Sequence, residues 1–141
     1  DRNPDALKLA EQIGAHETVA ADGGQVEAVH RLTDGGADVV FDFVAEQGAE
    51  QDGFAMTRRT GSYYVIGYGG TLTVPTLDII STERNIVGNI VGTYNELAEL
   101  MALAQSGRVT LHTRTYPLDA ATEAFTDLDA GRVRGRAILV P

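Results

Sequence analysis

The feature that most constrains the fold of this chain is a run of mostly apolar residues at 37–44, which follows Gly35 and Gly36. The run does not alternate strictly between apolar and polar residues, so it predicts a central strand covered by helices on both faces, as in a parallel sheet. A second run of this kind lies at 61–67, after a segment long enough for a helix. The two runs therefore predict one β-α-β crossover.

Capping residues and apolar residues three and four positions apart predict the helices. Asn3 and Asp119 are expected caps, and Thr93 with Glu96 has the pattern of a capping box. In the second predicted helix the apolar side chains, Leu32 among them, are expected to face inward. The predicted helices are residues 4–13, residues 25–33, residues 47–59, the segment from the Thr93 cap to Gly107, and the segment from the Asp119 cap to Gly131.

Extended segments alternate with these helices through most of the chain. The alternation predicts an α/β fold with a mostly parallel, doubly wound sheet, in which ligands bind at the carboxyl ends of the strands. Those ends lie at 43–45, 66–68 and 89–92, which make one continuous candidate site if the strands are neighbours. Besides the two central runs, extended segments are predicted at 17–21, 77–80, 83–92, 112–117 and 136–140.

Charge and composition narrow the classes of partner. The net charge of −9 and the pI near 4.6 argue against a nucleic acid or an anionic membrane as partner, because binding to phosphate requires a basic surface. No apolar stretch approaches the ~20 residues of a membrane span, and the first residues lack the basic start of a signal peptide, so a cytoplasmic protein is expected. The chain has no Cys, and His16, His30 and His112 lie on different predicted elements, so no metal site is predicted.

Several segments share their order and spacing with one known family. They are Asp1 before a capped helix, residues 41–44, residues 65–68, residues 88–93 followed by 95–97, and the ending at 131–137. This series resembles the carboxyl-terminal half of the medium-chain, zinc-dependent alcohol dehydrogenases. The resemblance implies a Rossmann-type doubly wound parallel sheet that lacks its first strand and Gly-rich turn in this chain. It also implies that residues 1–111 are the carboxyl-terminal part of an NAD-binding domain, and that residues 112–141 form a strand-helix-strand unit returning to the catalytic domain.

The resemblance assigns a cofactor-binding role to ten positions. The carboxylate of Asp1 would bind the ribose hydroxyls and disfavour a 2′-phosphate, so NAD is favoured over NADP. The guanidinium group of Arg2 beside it would tolerate a phosphate and so works against this preference. The alternative role for the apolar members is packing between strands. The alternative for Arg136 is a surface ion pair, and the alternative for Asp1 is that it is a terminal residue without function. The other assigned residues are Phe43 and Val44 near the adenosine, Ile66, Gly67 and Tyr68 near the nicotinamide, Asn89, Ile90 and Val91 near the carboxamide, and Arg136 at the pyrophosphate.

The function implied by the resemblance is that of the cofactor-binding half of an NAD-dependent alcohol dehydrogenase. The longer parent protein would transfer hydride between a small alcohol or aldehyde and the nicotinamide, with the catalytic zinc and the proton relay outside this chain. This chain alone is expected to be inactive, and pairing of edge strands near residues 77–90 would give a homodimer or homotetramer. The alternatives are a zinc-free quinone oxidoreductase of the same superfamily and a non-catalytic nucleotide-binding module.

Overall fold

The computed structural model describes residues 1–141 and divides them into two units, Asp1–Ile90 and Val91–Pro141. The first unit contains α1 (Pro4–Gln12), α2 (Gln25–Leu32), β1 (Ala37–Asp42), α3 (Ala49–Met56), β2 (Thr57–Val65), α4 (Thr76–Thr82) and β3 (Asn85–Gly88). The second unit contains α5 (Tyr94–Gln105), β4 (Thr113–Pro117), a 3-10 turn (Leu118–Ala120), α6 (Ala121–Asp129) and β5 (Arg136–Val140). The predicted α/β class with parallel sheets is confirmed.

The sheet of the first unit has the order β1-β2-β3, and both pairs of strands are parallel. Helix α3 connects β1 to β2, so the predicted crossover is confirmed. The prediction that residues 37–44 form a central strand is wrong: β1 pairs only with β2 and is an edge of this sheet, and β2 lies in the centre. The reason is that the chain contains no further strand that pairs with the free side of β1.

Burial in the first unit is concentrated around α3 and β2. The side chain of Phe54 on α3 and that of Tyr63 on β2 are buried, and their rings meet edge to face. Helix α3 packs against β1 from one side, whereas Val39 and Phe41 on β1 remain 47% and 58% exposed. The prediction that helices cover both faces of this strand is therefore not met within the unit.

Gly53 lowers the intrinsic helix propensity of α3, and its packing explains why glycine stands there. A methyl group at Gly53 would lie 2.7 Å from Cε2 of Tyr63, so only glycine lets the buried ring pack directly on the helix backbone. The helix is shorter than the predicted 47–59, and β2 begins at Thr57, earlier than predicted. The hydroxyl group of Thr57 donates to the carbonyl oxygen of Gly53 at 2.9 Å where the helix ends.

Four further predictions for the first unit need correction. Residues 17–21 form no strand; they make two backbone hydrogen bonds to Asp1, one from its nitrogen to the oxygen of Val19 (3.1 Å) and one to its oxygen from the nitrogen of Ala21 (3.0 Å). A single partner residue is too little to make a ladder. Residues 77–80 lie in α4, and the strand predicted at 83–92 is limited to β3. Leu32, expected to face inward, is 52% exposed.

The second unit contains β4 and β5, a parallel pair connected by α6. Tyr116 of β4 is buried, and its hydroxyl group donates to Oδ2 of Asp127 on α6 at 2.9 Å. The guanidinium groups of Arg114 and Arg132 pair with the same carboxylate, each at 2.8 Å. These contacts join the strand to the helix.

The two predicted helix caps of the second unit have different outcomes. The capping box of Thr93 and Glu96 is confirmed: each side chain accepts a hydrogen bond from the other residue's backbone N–H. The prediction that Asp119 caps the last helix is wrong, because Asp119 lies within the 3-10 turn and Ala120 precedes α6 without a side-chain hydrogen bond. None of the helices combines the length and the apolar character that a membrane span requires.

Candidate functional site

The carboxyl ends of the three strands of the first unit lie side by side. We call this end of the sheet the shared edge, as distinct from its outer strands β1 and β3. Asp42 at the end of β1 pairs with Val65 at the end of β2, which pairs with Gly88 at the end of β3. Beyond the strands, the backbone nitrogens of Ile66 and Gly67 both donate to the carbonyl oxygen of Asp42 at 2.9 Å. The expectation that the strands are neighbours is confirmed, and the segments that follow them leave the sheet at the same edge.

Gly67 lets the first two of these segments approach closely. A Cβ atom at this position would lie 2.5 Å from the carbonyl carbon and oxygen of Val44 and 2.6 Å from the carbonyl carbon of Phe43. Real Cβ atoms do not come so near to backbone atoms, so any other residue would separate the two chain segments. Gly67, which the resemblance assigns to the nicotinamide side, thus allows the backbone after β2 to lie directly against the backbone after β1.

A buried carboxylate holds the turn after β1. One oxygen of Asp42, Oδ1, accepts hydrogen bonds from the backbone nitrogens of Val44 (2.9 Å) and Ala45 (2.8 Å), and Oδ2 accepts one from the hydroxyl group of Tyr63 (2.7 Å). Ala45 has a positive φ of 46° in this turn. Burial and the bond to Asp42 raise the pKa of Tyr63 well above its usual value, so its hydroxyl group stays a donor throughout the physiological pH range.

Sequence reasoning did not identify Asp42 as part of the site. The signal that could have found it is a carboxylate inside an apolar run, because a buried charge requires hydrogen-bond partners. Its partners come from the turn that follows and from the next strand. Neither partner is evident from the local sequence.

An open cleft of about 330 Å³ lies beside the end of β1. The carboxylate of Asp1 is held by a 2.7 Å hydrogen bond that its Oδ1 accepts from the backbone nitrogen of Asn3. On another side of the cleft, Gln25 donates to the carboxylate of Asp52 at 2.6 Å. The cleft thus combines acidic, amide and guanidinium groups with apolar side chains such as that of Val44. The residues that line it include Asp1, Arg2, Gln25, Val44, Gln47 and Asp52.

Eight of the ten predicted cofactor residues lie in the first unit. Asp1 and Val44 line the cleft, and the others lie along the shared edge. Three of the apolar ones, Phe43 (73% exposed), Tyr68 (92%) and Ile90 (89%), project into solvent. Packing between strands, the alternative role, does not account for these side chains within the unit.

The remaining two predicted residues belong to the second unit. Val91 is 97% exposed and has a positive φ of 43°. Arg136 is the exposed first residue of β5; it pairs with Thr113, and its backbone nitrogen donates to the carbonyl oxygen of His112 at 2.9 Å. These contacts involve the backbone of Arg136. The role of its side chain stays a prediction.

The residues of this chain do not provide a zinc site. No group of three or more His, Asp or Glu side chains is arranged so that it could hold a metal ion, and the chain has no Cys. His30 uses its Nε2 atom in a 2.8 Å hydrogen bond with the carbonyl oxygen of Ala55.

Comparison with known proteins identifies relatives along the whole chain. The family model for zinc-binding dehydrogenases matches residues 1–106. An NAD-dependent alcohol dehydrogenase of Sulfolobus acidocaldarius is 30% identical over 99% of this chain. A D-arabinose 1-dehydrogenase (NADP(+)) of Saccharolobus solfataricus is 29% identical over 80% of it. The chain covers 41% and 33% of the lengths of these two proteins.

The similarity extends to solved structures. The crystal structure of the alcohol dehydrogenase from Aeropyrum pernix superimposes on this chain with a TM-score of 0.94 at 38% sequence identity. That match covers 100% of this chain and 41% of the other chain. The fold and the sequence therefore match the same part of the same group of enzymes.

Proposed function

This chain belongs to the zinc-binding dehydrogenase family and matches the cofactor-binding half of its alcohol dehydrogenases, and we propose that it serves as that half in an NAD-dependent alcohol dehydrogenase. The observation that carries the proposal is the shared edge of the three parallel strands, where Gly67 brings two chain segments together. Sheets of this kind bind their ligands at that edge.

The cleft supports a nicotinamide dinucleotide as the ligand. In the proposal the carboxylate of Asp1 binds the hydroxyls of the adenosine ribose and Val44 lies along the sugar, while Ile66, Gly67 and Tyr68 border the nicotinamide. The bound dinucleotide would accept hydride from the alcohol or return it to the aldehyde. The side chains of this chain would bind and orient it; they supply no acid or base for the reaction.

The acid at position 1 favours NAD over NADP, because a 2′-phosphate would meet a negative charge there. Arg2 lies in the same cleft and works in the opposite direction, since a guanidinium group binds phosphate well. The NADP(+)-dependent D-arabinose dehydrogenase among the relatives shows that both cofactors occur in similar proteins. We propose NAD because the carboxylate of Asp1 is the group held in place by a backbone hydrogen bond.

We also propose that the parent protein is a homo-oligomer that pairs the outer strand of the sheet across a two-fold axis. The support is that β3 is an edge strand, and that Leu77 and Ile80 nearby are 71% and 73% exposed. An exposed strand edge with apolar neighbours is a common interface between identical chains. Sedimentation velocity of the full-length protein would detect a dimer or tetramer. A monomer at all concentrations would contradict this proposal.

The test of the proposed function uses the full-length protein. Binding of NADH is measured by calorimetry, zinc by elemental analysis, and activity by the appearance of NADH absorbance with a panel of small alcohols. Binding, zinc and turnover together are expected. Reduction of quinones by a zinc-free protein would favour the quinone oxidoreductase, NADH binding without any turnover would favour the non-catalytic module, and a protein that binds no NADH would contradict all three.

A further inference from the structure

A second carboxylate of the first unit, Glu50, contacts the loop that follows the proposed nicotinamide segment. Its side chain projects from the first turn of α3 and is only 8% exposed. Oε1 accepts a hydrogen bond from the backbone nitrogen of Thr71 at 3.3 Å, whereas the buried Oε2 has no hydrogen-bond partner. A buried carboxylate with one unpaired oxygen is costly, so its presence needs a reason.

Helix stabilisation alone does not provide that reason. An acidic residue in the first turn of a helix interacts favourably with the helix dipole, but an exposed one does so without the cost of burial. Glu27 in the first turn of α2 is such an exposed residue. What distinguishes Glu50 is its contact with the loop.

The loop is shaped to receive this carboxylate. A Cβ atom at Gly70 would lie 2.5 Å from Oε1 of Glu50 and 2.9 Å from the carbonyl oxygen of Ala45, so glycine is required where the loop meets α3. The backbone nitrogen of Gly70 also donates to that carbonyl oxygen at 2.8 Å. The loop is thus anchored to both the turn after β1 and the start of α3.

We infer that Glu50 is a positioning residue, which holds the loop at Gly70 and Thr71 and thereby orients Ile66, Gly67 and Tyr68 toward the nicotinamide end of the cofactor. The inference rests on the proposed function, since that function gives the three residues their ligand. Glu50 itself touches neither the cofactor nor the substrate in this account. It acts through the hydrogen bond to Thr71 and through its packing against Gly70.

Comparison of two ligands tests this inference. NADH carries the nicotinamide, whereas ADP-ribose contains the rest of the dinucleotide and lacks that ring. In the full-length protein, Glu50→Ala is expected to raise the Kd for NADH about threefold to tenfold, as for a lost anchoring hydrogen bond, and to leave the Kd for ADP-ribose within about twofold. Glu50→Gln keeps an oxygen for Thr71 and should restore NADH binding to nearly the wild-type value.

Two further variants complete the design. Glu27→Ala removes the exposed first-turn acid of α2 and should change neither Kd, which controls for loss of helix stabilisation. Gly70→Ala displaces the loop from the carboxylate of Glu50 and from the carbonyl oxygen of Ala45 without changing the sequence of α3, and should weaken NADH binding selectively. Unchanged NADH binding in this variant would contradict the positioning role even if Glu50→Ala does not fold.

The outcomes separate this inference from the proposed function. Unchanged NADH affinity in Glu50→Ala and Gly70→Ala, or parallel losses for NADH and ADP-ribose, would overturn the positioning role while the function stands. A wild-type protein that binds neither ligand would overturn the function, and the positioning role with it.

Discussion

The hydroxyl group of Tyr63 donates a 2.7 Å hydrogen bond to Oδ2 of Asp42, and both side chains are buried in the first unit. This bond joins the interior of β2 to the last residue of β1. Because the other oxygen of Asp42 accepts the backbone nitrogens of Val44 and Ala45, the same carboxylate also shapes the turn that borders the cleft. The core of the unit and its proposed binding edge are therefore connected by a single side chain.

Tyr63→Phe is expected to destabilise the protein by about 1 to 3 kcal/mol, because it leaves a buried carboxylate oxygen without its donor. Chemical denaturation followed by circular dichroism measures the change. Tyr64→Phe is the matched control: the neighbouring residue on β2 stacks on Phe41 and keeps that contact as phenylalanine. Equal stability of the two variants would show that the bond contributes nothing.

Gly67→Ala is expected to cost about 1 to 3 kcal/mol of stability and to weaken NADH binding, since the added methyl group collides with the backbone of Phe43 and Val44. Gly88→Ala at the end of β3 is the control, because a Cβ atom there has no heavy atom within 4 Å. Thermal unfolding and NADH titration of both variants test this. If Gly67→Ala matched Gly88→Ala in both measurements, the two chain segments would not need their close contact.

Asp1→Asn is expected to raise the preference for NADP relative to NAD about tenfold or more, as it removes the negative charge that opposes a 2′-phosphate and leaves Arg2 in the cleft. Steady-state kinetics with each cofactor in the full-length protein give the ratio of kcat/KM. Asp5→Asn changes an exposed acid of α1 and should leave the ratio unaltered. A ratio that does not change in Asp1→Asn would remove Asp1 from the proposed site.

Arg136→Ala is expected to weaken NADH binding about tenfold or more, the effect of losing a charge-assisted hydrogen bond to phosphate. The loss should diminish as salt is added, because salt screens the charge that was removed. Titration with NADH at low and high ionic strength measures both effects. Arg108→Ala, which removes another exposed arginine of the second unit, is the control. Unchanged affinity in Arg136→Ala would leave this residue with a surface role only.

The stability of the second unit should depend on pH through Asp127. Hydrogen bonds from Arg132 and Tyr116 hold the pKa of this carboxyl below its usual value. Because the folded pKa is lower than the unfolded one, the stabilisation is fully present above the unfolded value of about 4 and is lost as the pH falls through the folded pKa.

Denaturation curves between neutral and strongly acidic pH test this dependence. Asp127→Asn should reduce the loss of stability on acidification, whereas Asp129→Asn, two residues further along the chain and exposed, should retain it. The same acid dependence in Asp127→Asn as in the wild type would place its source in other carboxylates.

The parts of the fold that were predicted correctly are those whose signals are local. The capping box of Thr93 and Glu96 needs only residues within one turn, and the β-α-β crossover follows from two apolar runs at a suitable distance. The error at residues 77–80 also has a local origin: a short apolar stretch after Pro75 fits either a strand or a helix. In the structure Pro75 precedes the first residue of α4, and Thr82 donates its hydroxyl hydrogen to the oxygen of Asp78.

The parts that sequence reasoning missed depend on distant partners. Asp42 has its role because Tyr63 of the neighbouring strand donates a hydrogen bond to it, and Glu50 because Gly70 leaves space for it. Residues 17–21 have the composition of a strand, but a strand forms only beside a partner strand. Within this chain the only backbone partner of these residues is Asp1, a single residue. The ten cofactor positions came from the resemblance to a family, and their roles stay predictions until the variants are measured.

The register of the sheets has a consequence for how this chain folds. Ala37 pairs with Thr57 before an irregularity in the register of β1 and β2. In the rest of the paired residues the separation along the sequence is the same in all three strand pairs, as in Val39 with Ser62, Ser62 with Asn85 and, in the second unit, Thr113 with Arg136. No hairpin is available as a rapid first step, and each pair must close a loop of on the order of 20 residues before it gains any contact. Refolding should therefore be slower than for a helical bundle of equal length, and until those loops close the apolar strands stay open to pairing with other chains.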